Sequence, residues 1–282
     1  MKWDQDHESP DVIDRRGQSS GGSGAGLGIL ALLPFVKGRW GWTCVLVLVA
    51  IAFVGWRFLS SNASTDTPQV AGQAKPAGDT GAHFAGFVLD DTQRVWAARF
   101  AAGNKQWKNA KLVLYTDATP TGCGYGQAAT GPFYCPKDQR VYLDLGFFEQ
   151  LSKRLGARGD FAQAYVIAHE IGHHVQNELS LDNTRSLGAA GGSVRTELQA
   201  DCYAGIWAHD TSQRNVLEDG DIGEAMTAAG SVGDDRLQKS GTGTVRPESF
   251  SHGTSAQRQH WFEVGYKQAT IEACDTFKAS SL

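Results

Sequence analysis

The residues of this chain that are best placed to do chemistry form one pentapeptide, His169-Glu170-Ile171-Gly172-His173. On a helix, the two histidines lie one turn apart on the same face, so both imidazoles can bind one ion. The glutamate between them projects beside the ion, where it can take a proton from a water molecule. The pattern predicts a zinc hydrolase, most commonly a peptidase, with His169 and His173 as ligands and Glu170 as general base. The alternative is a solvent-exposed helix that binds no metal.

A catalytic zinc ion needs a third protein ligand and an open coordination position. The segment Glu197-Leu-Gln-Ala-Asp201 offers two carboxylates, again one helical turn apart. We expect Glu197 to complete the Zn²⁺ site and Asp201 to accept a hydrogen bond from the outer nitrogen of a ligand histidine. Two alternatives stay open: a pair of solvated acids, and a deformylase-like hydrolase in which Cys202 is the ligand.

For two further histidines, the sequence gives weaker indications of a functional role. His252 lies in a loop before the last predicted helix, where it could donate a hydrogen bond to the oxyanion of a tetrahedral intermediate. A purely structural role for His252 is equally compatible with the sequence. His174 follows His173 but points about 100° around the helix, so we expect it to hydrogen-bond nearby rather than to share the metal.

The elements that position these residues form an α+β domain that is mostly helical. Residues 111–116 and 140–144 have the composition of strands, and glycine-rich turns between them indicate a short hairpin. From Phe147 onward the pattern is helical almost to the end of the chain. Gly172 weakens its own helix but allows another element to approach closely. The expected architecture is therefore a small strand region followed by a helical body.

The N-terminal part of the chain has a different composition. Residues 1–39 are polar and rich in Gly and Ser, which predicts disorder. Residues 40–59 are apolar with tryptophans at both ends, which predicts one transmembrane helix. Lys and Arg before this helix place residues 1–39 in the cytoplasm. Residues 60–83 are expected to be a flexible linker and 84–282 the catalytic domain, outside the cytoplasm. A signal peptide cleaved near Ala63 is the alternative.

Charge and cysteine content narrow the function further. The net charge is only −4, so no basic field suggests a nucleic-acid partner. One of the five cysteines, Cys44, lies in the apolar run, and the other four form an even set downstream of it. This distribution favours disulfides in an oxidising compartment over four buried thiols. Cys123 and Cys135 flank the predicted hairpin, so a local disulfide between them is plausible.

From about Phe84 to Phe277, the chain resembles the bacterial neutral zinc metallopeptidase family of membrane-anchored proteases. The resemblance covers about 70% of the chain. The matching stretches are Cys123-Gly, Gly131-Pro-Phe-Tyr-Cys-Pro136, Val141-Tyr-Leu-Asp144, His169-Glu-Ile-Gly-His-His174, Ser193-Val-Arg-Thr-Glu-Leu-Gln-Ala-Asp-Cys-Tyr-Ala-Gly205, Gly233-Asp-Asp-Arg236, Ser251-His-Gly-Thr, Gln257-Arg258 and Trp261-Phe262. The order HExxH then Glu-x-x-x-Asp is similar to gluzincins such as thermolysin.

The resemblance implies a set of roles for residues of this chain. It implies His169, His173 and Glu197 as Zn²⁺ ligands, Glu170 as base and Asp201 as the partner of a ligand histidine. It also implies two disulfides, which pair Cys123 with Cys135 and Cys202 with Cys274. The chain departs from thermolysin-like enzymes because it has no obvious counterpart of their substrate-binding strand motif.

Together, these patterns predict a membrane-anchored zinc metallopeptidase that hydrolyses peptide bonds in exported proteins or peptides. A membrane-tethered zinc-binding scaffold without activity, or another HExxH zinc hydrolase, is the alternative. The sequence identifies neither a substrate nor an oligomeric state.

Overall fold

The computed structural model describes residues 1–18, 79–181 and 185–282. The transmembrane helix predicted at 40–59 lies outside these residues. Within the part of the chain that the structure describes, no helix is both long and apolar enough to cross a membrane.

The secondary structure confirms a mixed α+β fold in which helices dominate. The six strands of the described residues are β1 (Val12–Asp14), β2 (Lys111–Leu114), β3 (Ala118–Thr121), β4 (Gly124–Gln127), β5 (Phe133–Cys135) and β6 (Arg140–Leu143). Their seven α-helices are α1 (Thr80–Ala102), α2 (Gly146–Lys153), α3 (Asp160–Glu178), α4 (Gly192–Ser212), α5 (Asp221–Ser231), α6 (Asp234–Gly241) and α7 (Ser255–Gln268). Both strands predicted around 111–116 and 140–144 are present, and α3 contains the HExxH segment.

The sheet lies beside the active-site helix. Its strand order is β1-β2-β6-β5, with β1, β2 and β6 parallel and β5 antiparallel to β6. Strands β3 and β4 form a separate antiparallel hairpin. The inner face of the sheet and helices α1, α3, α4 and α7 share one large apolar core. Because β5 is both an edge strand and a neighbour of α3, it forms one wall beside the HExxH residues.

The predicted disorder of residues 1–39 is wrong for residues 1–18. Strand β1 is part of the sheet, and Met1 is buried in the core. The predicted linker also ends earlier than expected, because α1 begins at Thr80 and includes His83. Polar side chains of residues 1–18, among them Ser9 and Asp11, form hydrogen bonds with residues of the domain. Those partners are far away in sequence, so composition alone gives no sign of them.

Helices α3, α4 and α7 cross closely at glycines. A Cβ on Gly265 of α7 would lie 1.8 Å from the Cys202 carbonyl oxygen, so α7 contacts the backbone of α4 directly. A Cβ on Gly172 of α3 would lie 2.8 Å from the Ala200 carbonyl oxygen. The predicted close approach at Gly172 is therefore confirmed. These crossings bring the polar residues of three helices to one place.

We expect Gly172→Ala to lower the free energy of unfolding by about 1–3 kcal/mol, because the added methyl group has no room against Ala200. The better helix propensity of alanine, worth up to about 1 kcal/mol, offsets part of this loss. Chemical denaturation measures the change. Gly223→Ala is the matched control, since a Cβ there meets no atom within 4 Å. Equal stability of the Gly172 variant and the wild type would contradict the close packing of α3 on α4.

Candidate metal centre and active site

Three side chains from two helices converge where the sequence predicts a metal. Nε2 of His169 lies 3.2 Å from Oε2 of Glu197, and Nε2 of His173 lies 3.4 Å from Oε1 of the same carboxylate. One donor atom from each of the three residues falls within 4.8 Å of the others. The i, i+4 spacing on α3 therefore places both imidazoles on the face that meets α4.

The donor set fits a catalytic zinc ion. Two neutral imidazole nitrogens and one carboxylate are a ligand combination of zinc hydrolases, and they leave a position for water or substrate. Burial alone would raise the pKa of Glu197, but the imidazoles of His173 and His169 hold it well below its usual range. The carboxylate is therefore ionised, as a metal ligand must be.

A second group of acids in the described residues, Asp160, Asp221 and Glu224, also lies close together. The ammonium group of Met1 already lies against it, 2.8 Å from Asp160 and 3.4 Å from Asp221. This group contains no histidine, so it lacks the nitrogen donors that favour zinc.

The outer nitrogen of His169 is held by a buried carboxylate. Nδ1 of His169 lies 2.8 Å from Oδ1 of Asp201, which is fully buried. Arg258 of α7 donates to both oxygens of Asp201, from Nε at 2.8 Å and from Nη2 at 2.9 Å. The Tyr165 hydroxyl also donates to Asp201. Burial would raise the pKa of Asp201, but the Arg258 guanidinium and His169 keep it below its ordinary value. An ionised Asp201 fixes the His169 tautomer that leaves Nε2 free for a metal.

The outer nitrogen of His173 is held by an amide network. Its Nδ1 lies 2.9 Å from Oε1 of Gln176, whose Nε2 donates to Oε1 of Gln199 at 3.0 Å. Gln199 in turn donates to the backbone carbonyl of Cys274. Because Cys274 is bonded to Cys202, this network joins the C-terminal segment to α4 behind the metal site. Both imidazoles therefore present Nε2 to Glu197.

Glu170 lines a cleft of about 680 Å³ together with His169, His173 and Glu197. Its side chain is buried in the protein, at 7% exposure. Burial raises the pKa of Glu170. A raised pKa suits a carboxylate that must accept and then release a proton near neutral pH.

His252 also lines this cleft, and Asp234 holds it there. Nδ1 of His252 lies 3.1 Å from Oδ1 of Asp234, and Oδ2 of Asp234 accepts the backbone N–H groups of residues 251–253. The hydrogen bond that the His252 ring donates to Asp234 raises the pKa of His252. Asp234 is therefore the partner that orients His252.

The structure excludes two alternatives that the sequence left open for the third ligand. It also places two further residues, Tyr165 and Arg258, beside Asp201. Cys202 forms a disulfide with Cys274, so it cannot be a metal ligand, and the buried Asp201 is not a solvated acid. Tyr165 lies one helical turn before His169, so its position could have been found from the i, i+4 spacing. Arg258 gave no such signal, because only the crossing of α7 over α4 brings it to Asp201.

The remaining cysteine and histidine predictions agree with the structure. Cys123 and Cys135 form the second disulfide, between the tip of the β3–β4 hairpin and strand β5. His174 is fully buried, with Nδ1 at 2.8 Å from the Tyr134 hydroxyl and Nε2 at 2.7 Å from the Lys108 carbonyl oxygen. It therefore stabilises the contact between α3 and β5 and stays away from the metal position.

Comparison with known proteins gives matches along almost the whole chain. Residues 1–277 match the family described as "Putative neutral zinc metallopeptidase". The Escherichia coli K12 protein "Uncharacterized protein YpfJ" is 42% identical over 290 residues, which cover 99% of this chain and 100% of that protein. The Mycobacterium bovis protein "Uncharacterized protein Mb2605" is 47% identical over 185 residues, which cover 61% of this chain and 63% of that protein. No solved structure matches the chain. The family match and the full-length relative show that this chain belongs to the neutral zinc metallopeptidase family.

Proposed function

We propose that this protein is a zinc peptidase that hydrolyses peptide bonds in exported proteins or peptides. One observation carries the proposal: the donor atoms of His169, His173 and Glu197 converge in an open cleft, with the buried carboxylate of Glu170 beside them. A bound zinc ion would polarise the scissile carbonyl and acidify the attacking water. The zincin-like fold is part of this proposal, supported by the HExxH helix and by the carboxylate ligand on the next helix.

Glu170 supplies the proton transfers. Its carboxylate takes a proton from the attacking water and then delivers it to the leaving amine. Burial raises the pKa of this group, so the carboxylate can take up a proton and release it again.

His252, which lines the same cleft, supplies a hydrogen-bond donor. Its bond to Asp234 favours the protonated imidazolium and fixes the ring. The ring nitrogen that does not face Asp234 is then free to donate to the carbonyl oxygen of the substrate as negative charge develops there.

We expect Asp234→Asn to move the alkaline limb of the kcat/KM profile to lower pH. Asp234 raises the pKa of His252, so the donor form is present below that pKa and is lost as the pH rises through it. Asparagine can still accept the three backbone N–H groups but carries no charge, so the pKa of His252 falls. Hydrolysis rates measured across pH test this, and an unmoved alkaline limb would contradict the role of the pair.

The two disulfides indicate that the catalytic domain lies outside the cytoplasm, since cytosolic thiols are kept reduced. We further propose that the apolar residues 40–59 attach the domain to the inner membrane. The partners in this proposal are a protein or peptide substrate and the membrane, with no nucleic acid.

A library of fluorescence-quenched peptides tests the proposed activity, with the purified full chain as enzyme. We expect cleavage that a chelator abolishes. Bound zinc without cleavage of any library peptide would instead favour the non-catalytic scaffold. Cleavage of non-peptide esters or amides alone would favour another zinc hydrolase.

A further inference from the structure

The N-terminal residues 1–18 are built into the sheet of the catalytic domain. Strand β1 pairs in parallel with β2, in a register that runs from Val12 opposite Leu112 to Asp14 opposite Leu114. These are backbone hydrogen bonds, so they require the two segments to lie side by side.

A buried carboxylate strengthens this attachment. Asp11 is 7% exposed and accepts hydrogen bonds from the Lys111 ammonium at 2.5 Å, the Asn109 amide at 2.7 Å and the Gln93 amide at 3.1 Å. A carboxylate withdrawn from water is stable only when such partners are in place. The three donors come from α1, from β2 and from the loop between them, so Asp11 joins the N-terminal segment to the domain at several points.

The segment before Asp11 lies along α1. Ser9 donates to Asp90 at 2.7 Å, and Nε2 of His7 lies 2.8 Å from the other oxygen of the same carboxylate. The ring of Trp3 packs edge-on against Phe84, with 5.1 Å between centroids. Both polar and apolar contacts therefore hold this part of the segment against α1.

The two points where the chain leaves and re-enters the domain are adjacent. Arg16, near the end of the N-terminal segment, forms an ion pair with Asp79, the residue that precedes α1. The end of the described N-terminal segment and the start of the next described segment therefore lie side by side.

This arrangement is incompatible with a single membrane crossing between residues 18 and 79. One crossing would place β1 and β2 on opposite sides of a bilayer, where they cannot share hydrogen bonds. The sequence predicts residues 1–39 in the cytoplasm and the domain outside it. The pairing of β1 with β2 contradicts this placement for residues 1–18.

We propose that residues 1–18 and residues 79–282 lie in the same compartment, so that the chain between them makes no net crossing of the membrane. The N-terminal segment is then a structural part of the extracytoplasmic peptidase and not a cytoplasmic tail. This inference rests on the sheet pairing, so it holds or fails independently of the proposed activity.

Cysteine labelling of the full chain in intact spheroplasts tests the proposal. Cys44 is first replaced by serine, because the other four cysteines are in disulfides. A single cysteine is then introduced at the exposed position Asp6 (Asp6→Cys) or, as the domain reference, at Lys267 (Lys267→Cys). A membrane-impermeant maleimide reports which of the two sites it can reach before and after permeabilisation.

We expect both sites to label to the same extent before permeabilisation. Labelling of both sites only after permeabilisation would still support a shared compartment, but it would contradict the extracytoplasmic location in the proposed function. Labelling at Lys267→Cys with protection at Asp6→Cys until the membrane is opened would overturn the inference.

A disulfide between the two strands gives a second measurement that does not depend on a labelling reagent. Val12→Cys with Leu112→Cys places two cysteines directly opposite each other in the register of β1 and β2. We expect the pair to form a disulfide in cells, seen as a mobility shift on a non-reducing gel, while each single variant shows none. A fully reduced pair in a chain whose native disulfides have formed would overturn the inference.

Discussion

Replacing Glu170 by glutamine is expected to abolish peptide hydrolysis while the zinc ion stays bound. Glu170 is not one of the three converging donors, so the metal site keeps both histidines and Glu197. Glutamine has the same shape but cannot take the proton from the attacking water. Loss of a general acid–base group typically costs about 10²–10⁴-fold in rate. The measurement is kcat on a cleaved peptide, with zinc content determined on the same sample.

The control for this variant is Glu263→Gln, which makes the same chemical change at a position on α7 where the side chain is 45% exposed. We expect it to retain wild-type turnover. Turnover of Glu170→Gln that matches this control would remove Glu170 from the role of base, and loss of zinc from Glu170→Gln would show that the variant disturbs the metal site instead.

Replacing Glu197 by alanine is expected to cause a large loss of zinc affinity, larger than the loss in Asp201→Asn. Glu197 is the only carboxylate among the three converging donors, and its two oxygens face both imidazoles. Without it, two histidines remain, which is fewer than the three protein ligands of a catalytic zinc site. Competition titration with a fluorescent zinc chelator measures the dissociation constant, and circular dichroism checks that the fold is retained.

Asp201→Asn is the variant with which the zinc affinity of Glu197→Ala is compared. It keeps all three donors but removes the charge that orients His169, and loss of such an outer partner typically weakens metal binding by about 10–100-fold. We therefore expect Glu197→Ala to lose more affinity than Asp201→Asn. The reverse order, or full zinc retention in Glu197→Ala, would remove Glu197 from the ligand set.

Local spacing was sufficient to predict much of the site. The i, i+4 pattern placed His169 and His173 on one face of a helix, and the same pattern placed Glu197 and Asp201 on another. The structure adds that the two faces meet, because Gly172 lets α3 approach Ala200. The strands around residues 112 and 142 were predicted for a similar reason, since their buried apolar runs are a local signal.

Contacts between distant segments could not be predicted in this way. Strand β1 has only three residues in a polar stretch, and its stability comes from β2, about a hundred residues later. Arg258 resembles an ordinary charged helix residue until the crossing of α7 over α4 places it 4% exposed against Asp201. The role of Asp234 depends on the loop that contains His252, because Asp234 bonds to that ring and to the N–H groups of the loop. In each case the partner is fixed by tertiary packing, which composition and periodicity do not contain.

Removal and return of the metal in the purified full chain tests most directly whether the protein hydrolyses peptides with a bound zinc ion. The zinc ion is removed by a chelator, and hydrolysis of a cleaved peptide is followed as zinc is added back. We expect activity to be lost with the metal and to return fully at one zinc ion per chain in the wild type, whereas Glu170→Gln takes up the same zinc and stays inactive. Hydrolysis that persists in the metal-free protein, or that returns equally in both proteins, would contradict this expectation.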